Sequence, residues 1–297
     1  MSNLKQGELF ENLPETKSDV IKFSALRQPV WTENKAKLVA KYLYYFVLIT
    51  KHGAYIDGFA GPKNPDKPES WAAKLVLESK PKLLREFFLC DNDPLKLTAL
   101  NELKSLNSTT KGRKIEVIEG DFNSSIDKIL SSGKITPKKA TFCLIDQFST
   151  ECHWETVKKI ADFKHENKIE IFYFLASGWI DRALSGFKSD LQTPSRWWGN
   201  DNWKSLIGLK SIQRAQLFCM RFKDELNYKF AHAWPIYDKE GEGRRIMFHM
   251  IHATDHAEAS KIMWRAYKNA NVTPDQEEQL QIPLSEVESI VTAYKSK

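Results

Sequence analysis

Residues 54–62 read Ala54-Tyr55-Ile56-Asp57-Gly58-Phe59-Ala60-Gly61-Pro62. A short apolar run meets an acid and then a turn with two glycines and a proline, as where a strand ends on a loop that approaches a ligand closely. The same grammar recurs downstream. Glu86-Phe87-Phe88-Leu89-Cys90 leads to Asp91-Asn92-Asp93-Pro94, and Ile115-Glu116-Val117-Ile118 leads to Gly120-Asp121-Phe122-Asn123. Thr141-Phe142-Cys143-Leu144-Ile145 leads to Asp146-Gln147-Phe148-Ser149, and Glu170-Ile171-Phe172-Tyr173-Phe174-Leu175 is a fifth run. Helical spacing between the runs predicts helices over 71–79, 94–106, 123–130 and 154–165. Regular alternation of strand and helix implies right-handed crossovers and a parallel sheet covered on both faces, so the fold class is α/β.

Working outward, Trp31, Leu38, Tyr42, Phe46 and Ile49 recur at helical spacing before the first strand, with Thr32 as the expected N-cap and Gly53 as the expected stop. On the far side, 182–202 is rich in Ser, Gly, Pro and Trp without a clear period and reads as an insertion or lid, followed by a helix over 211–226. Residues 228–237 and 244–254 are β-rich and flank Asp238-Lys239-Glu240-Gly241-Glu242-Gly243, a hairpin signature that closes the sheet with an antiparallel pair. A last helix is expected over 256–270. The division is a flexible tail over 1–28, one domain over 29–270 with a Trp-rich insertion at about 182–210, and a C-terminal extension with a short helix over 271–297.

Composition bounds the class. The 297 residues are 42% hydrophobic and 28% charged, too apolar for a disordered chain and long enough for a substantial core. The longest apolar stretch, 42–50, is far short of the roughly 18–20 residues that span a bilayer, and 1–20 lacks the apolar segment of a signal peptide. No membrane association and a cytoplasmic location are expected. Cys90, Cys143, Cys152 and Cys219 are widely spaced, which fits reduced thiols rather than a disulfide framework. The net charge of +6 is mild.

In an open α/β sheet, ligands bind at the carboxyl ends of the strands. Asp57, Asp91, Asp121 and Asp146 end four consecutive strands, three of them beside an aromatic, a pattern that favours a nucleoside cofactor. Neither a phosphate loop nor the dinucleotide fingerprint G-x-G-x-x-G occurs.

Trp31-Thr32-Glu33 with Lys35 and Tyr42, the 55–62 segment, Asp146 with Trp154-Glu155, and His252-Ala253-Thr254-Asp255-His256 resemble the three-Cys-motif partner protein (TcmP) family over about 31–267. That bacterial family is similar to class I S-adenosylmethionine-dependent methyltransferases, and the Asp-Gly-Phe-Ala-Gly turn is similar to the first motif of amino-methylating nucleic-acid enzymes. The resemblance implies a Rossmann-like, seven-stranded mixed sheet with an antiparallel last strand and helices on both faces. It implies S-adenosylmethionine as cofactor, a three-Cys-motif protein as partner, and DNA or RNA as acceptor. It would set Asp57, Gly58, Phe59, Ala60 and Gly61 against the methionine part, Asp91 against the ribose, and Asp121 with Phe122 against the adenine. Asp146 and Phe148 would be catalytic, the carboxylate accepting from an exocyclic amine and the ring stacking on its base.

The chain departs from the pattern at Gln147, where proline is usual and would fix the turn, at Ser149 and at Lys63. The alternative is therefore a catalytically weakened subunit that binds nucleic acid or a partner protein. Arg196, Trp197 and Trp198 combine a cation with aromatics, as a substrate-binding surface for bases would. Lys134, Lys138 and Lys139, with Lys111, Arg113 and Lys114, fall in turns on the opposite edge and read as solvated charges. His249, His252 and His256 do not converge in a strand, and no metal site is expected.

Overall fold

The computed structural model describes residues 30–239 and 242–270. The expected N-terminal tail, the short C-terminal helix, and Glu240 and Gly241 of the hairpin turn lie outside the described residues.

Seven strands form one sheet: β1 Gly53–Asp57, β2 Leu84–Asp91, β3 Lys114–Glu119, β4 Thr141–Ile145, β5 Glu170–Leu175, β6 Phe230–Tyr237 and β7 Ile246–Thr254, in the order β3-β2-β1-β4-β5-β7-β6. The first five are parallel, and β7 runs antiparallel to both its neighbours, β5 and β6. This is the Rossmann-like, seven-stranded mixed sheet expected. The chain order reverses between β1 and β4, so the exits of these strands flank the topological switch point where such sheets take ligands.

The strands are apolar on both faces. Tyr55, Phe87, Phe142, Phe172 and Phe174 pack against helices α1 Lys35–Thr50, α2 Ala72–Glu78, α3 Pro94–Asn107 and α9 Ala259–Asn269. Ile56, Phe88, Cys143 and Tyr173 pack on the other face against α4 Phe122–Leu130, α5 Trp154–Asp162, α6 Ile180–Gly186, α7 Gln192–Trp198 and α8 Ser211–Asp224. Period-2 alternation thus sends successive large side chains into two separate cores. All four cysteines are buried free thiols.

Three local expectations are corrected. Thr32 does not cap α1: a 3₁₀ turn, Thr32–Asn34, precedes the helix, and the Thr32 hydroxyl donates to the Tyr237 carbonyl at 3.0 Å, pinning the chain to the edge strand. Gly53 is not the helix stop, because α1 ends at Lys51 in the left-handed region (φ 61°) and Gly53 opens β1. A Cβ there would sit 2.9 Å from Leu84, so the glycine serves close approach of backbone to side chain. The 182–202 stretch is not an irregular lid. It holds the end of α6, all of α7 and the start of a 3₁₀ segment, Asp201–Leu206, with Trp197 fully buried and Trp203 and Leu206 just beyond it at 3% and 0% exposure. Two seven-residue helices are too short to display a 3.6-residue period.

Candidate active site

The β1 exit turn is tied down at every step. Gly58 N–H donates to the Leu144 carbonyl (3.0 Å), Ala60 N–H to the Cys90 carbonyl (2.8 Å), and Gly61 N–H to Asp91 Oδ2 (3.0 Å). The turn therefore lies across the exits of β4 and β2. Both glycines are obligatory for this path: a Cβ on Gly58 would lie 2.7 Å from the Phe122 ring, and one on Gly61 2.4 Å from Lys96 Cβ. Phe122 is buried in the core under the turn, with the half-buried Phe59 ring 6.1 Å away.

The four acids differ in state. Asp57 is 1% exposed, accepts from the Tyr55 hydroxyl (2.7 Å) and Phe59 N–H (3.2 Å), and has no ion-pair partner among the described residues. Burial pushes its carboxyl up to about 7. Asp91 accepts Gly61 and Asp93 N–H groups, one on each oxygen, with Lys96 Nζ at 3.9 Å. A carboxylate has about four acceptor positions, so two remain for a ligand. Asp121 is exposed and accepts from Asn123 Nδ2 at 3.0 Å.

Asp146 stands two residues beyond Leu144, the register partner of Asp57, and shares its face of the sheet. It forms ion pairs with Lys35 from the first turn of α1 and with Lys63 (3.2 Å) from the loop after Pro62. Burial alone would raise its carboxyl, but the two ammonium groups outweigh that and hold it below the ordinary range. Lys35 is 6% exposed and lies over the Phe174 and Phe248 rings, 4.5 and 4.2 Å from their centroids; burial drives its pKa down to about 7 despite Asp146. Phe148 is 65% exposed, its ring 5.2 Å from that of Trp179.

Lys35 and Lys63 join the site beyond the residues expected from the sequence. A signal for Lys35 existed, since it falls on the stripe Trp31-Lys35-Leu38-Tyr42 that otherwise faces the core.

The insertion residues separate. Arg196 is exposed, whereas Trp197 is fully buried with its Nε1 donating to the Tyr173 hydroxyl at 2.7 Å, and Trp198 is 7% exposed beneath the Arg221 guanidinium. The two indoles therefore anchor this segment to the core, and only Arg196 of the three presents its side chain to solvent. His249 pairs with Ser177 (2.6 Å) on one face of the sheet, and His252 with Glu170 (2.6 Å) on the other.

No protein-family model matches this chain, and no curated protein does. Solved structures do. A protein described as a "putative methyltransferase" from Thermobifida fusca is 11% identical, with 76% of this chain and 81% of that one covered at a TM-score of 0.43. Trm1 from Pyrococcus horikoshii, in complex with S-adenosyl-L-methionine, is 10% identical over 84% of this chain and 60% of its own, at a TM-score of 0.37. TYW2 from the same organism, in complex with MeSAdo, is 12% identical over 75% of this chain and 64% of its own, at 0.35. Superpositions this loose do not carry residues or ligands from one chain to another.

Proposed function

We propose that this chain binds S-adenosylmethionine at the exits of β1, β2 and β4 and transfers its methyl group to an amino group of a nucleic acid. The observation that carries the reading is the turn over 57–61, which lies across the switch point between an uncompensated buried carboxyl and a carboxylate with acceptor capacity to spare. The residues fit such a cofactor. Asp57 places potential negative charge where a sulfonium would be held, the glycines let backbone approach it, Asp91 offers acceptor positions to a ribose diol, and Asp121 is exposed beside the turn.

When bound, the cofactor supplies an electrophilic methyl group. The protein's share is positioning, which can account for most of the acceleration without a covalent intermediate. Asp146, kept ionised by Lys35 and Lys63, accepts from the acceptor amine and orients its lone pair; Phe148, exposed beside Trp179, offers a stacking face to the base. By the resemblance set out above, a three-Cys-motif protein is the working partner.

A second reading, a methyltransferase-fold subunit that recognises nucleic acid or a cognate protein without turnover, is favoured by the double ion pair: a carboxylate already engaged by two ammonium groups has less to offer a substrate amine. Incubation with methyl-labelled S-adenosylmethionine and separate pools of DNA, RNA and protein distinguishes them. Label in nucleic acid that disappears in Asp146→Ala, with cofactor binding retained, supports methyl transfer. A wild type that binds cofactor but labels none of the pools supports the subunit.

A further inference from the structure

Strands β1 to β5 are parallel, so all five enter on the edge opposite the four acids. In the spatial order β3-β2-β1-β4-β5, the residues at or just before the entries are Lys111 and Lys114, Lys82 and Arg85, Lys51 and His52, Lys138 and Lys139, and Lys168. Every entry carries a cation. With strands about 4.8 Å apart, the row is about 19 Å long. Lys51, Arg85, Lys111, Lys114 and Lys138 are exposed and make no ion pair to an acid among the described residues. Of the acids near the strand entries, Glu86 and Glu116 are paired with Lys139 and Lys134, and Glu170 with His252. The sequence alone shows these lysines as scattered turn charges; the sheet order lines them up.

Into the same edge opens a cavity of about 210 Å³ between the end of α1, the entries of β4 and β5, and the start of α9. Its wall includes Phe46, Ile49 and Ile262, Glu170 lines it beside Tyr42 and Glu258 at the start of α9, and Lys51, His52 and Lys138 stand on its lining as well. Glu170 is 3% exposed and held in place by His252 Nε2 at 2.6 Å and by the Tyr42 hydroxyl. Pockets for drug-sized ligands run to roughly 300–1,000 Å³, so this one suits a single ring. An apolar wall beside a fixed carboxylate matches a flat ring that donates N–H. Cations beside it match a phosphate attached to that ring.

We propose that the strand-entry edge is a second binding surface, for single-stranded nucleic acid, with one unpaired base in the cavity and the neighbouring phosphates on Lys51, Lys138 and the row beyond. A polyanion is drawn to this edge by its exposed lysines and arginine. The surface lies on the far side of the sheet from the cofactor turn and works without cofactor.

The test is fluorescence anisotropy of a labelled 12-nucleotide single strand, as DNA and as RNA, against the full chain without cofactor and over a series of salt concentrations. The expected result is salt-dependent binding, tighter for the single strand than for a duplex of the same sequence. Lys51→Ala with Lys138→Ala should weaken it tenfold or more and make the slope of log K against log salt shallower by about 1.4, the loss of two phosphate contacts. Lys188→Ala, in the insertion after β5, should change neither. A strand carrying 2-aminopurine should change its emission on binding, and Ile262→Trp, which narrows the cavity, should abolish that change. No binding of either strand, binding indifferent to the Lys51 and Lys138 changes, equal affinity for the duplex, or an unchanged 2-aminopurine emission in the wild type would overturn the proposal. The lysine variants alter exposed side chains only, so their outcome stands even where Ile262→Trp fails to fold.

Discussion

A carboxyl group that is 1% exposed and forms no ion pair among the described residues is held at a cost to the fold, and Asp57 is such a group. Its folded-state pKa of about 7 lies above the unfolded value of 3.8, so between those limits the native state binds more protons than the unfolded one, and stability falls as pH rises through the window. Asp57→Asn removes the titration while keeping an acceptor oxygen. It should raise stability at pH 8 by about 2–4 kcal/mol in urea unfolding, with little change at pH 4. A cationic ligand favours the ionised form, so S-adenosylmethionine affinity should increase from pH 6 to 8, by about tenfold per unit on the acid side of 7. Calorimetry in buffers of different ionisation enthalpy should register proton release on binding, absent in Asp57→Asn.

Lys35 titrates in the opposite sense. Its folded pKa lies below the unfolded value of 10.5, so the unfolded state binds more protons above about pH 7 and stability rises with pH there. Lys35→Met leaves Asp146 with Lys63 alone, and its carboxyl should rise. The acid limb of the rate–pH profile should then shift to higher pH; a limb that does not move would show that Asp146 ionisation does not govern turnover. At this scale the acids were legible, because each ends an apolar run. Lys35 is legible only as a lysine on an apolar stripe, which gives no sign of the partner 111 residues away that holds it.

Among the elements, the β4 exit turn replaces an expected proline with Gln147, and the structure shows what holds it instead. Gln147 is fully buried, and its Oε1 accepts Cys152 N–H at 2.9 Å; Glu151 Oε2 accepts Ser149 N–H at 2.6 Å, and Asn123 Oδ1 accepts His153 N–H at 2.8 Å. Side-chain hydrogen bonds do here what a fixed φ would do. Gln147→Ala strands a buried N–H and should cost about 1–3 kcal/mol in urea unfolding. The insertion makes the same point through packing. Arg221 lies between the Trp154 and Trp198 rings at 3.9 and 4.0 Å, and Gly199, at φ +91°, passes so close to Trp154 that a Cβ would sit 2.7 Å from it. Trp197→Ala should therefore destabilise the protein by about 3–5 kcal/mol rather than act as a change in substrate affinity. The strands were legible to within two residues or so because a buried parallel strand is a continuous apolar run. The seven-residue helices were not, because what specifies them is contact with α5 and α8 rather than a period of their own.

For the whole molecule, alternation of strand and helix sufficed for the class, and the β-rich hairpin for the antiparallel closure. A net +6 says nothing about place, whereas parallel strands gather four aspartates at one edge and a row of lysines at the other. Isothermal titration calorimetry of the full chain with S-adenosylmethionine and S-adenosylhomocysteine tests most directly whether the strand exits hold the cofactor. One site per chain, lost in Gly61→Val, whose side chain would collide with Asp91 and Lys96, is the expected result. No heat from folded wild-type protein with either ligand would contradict it.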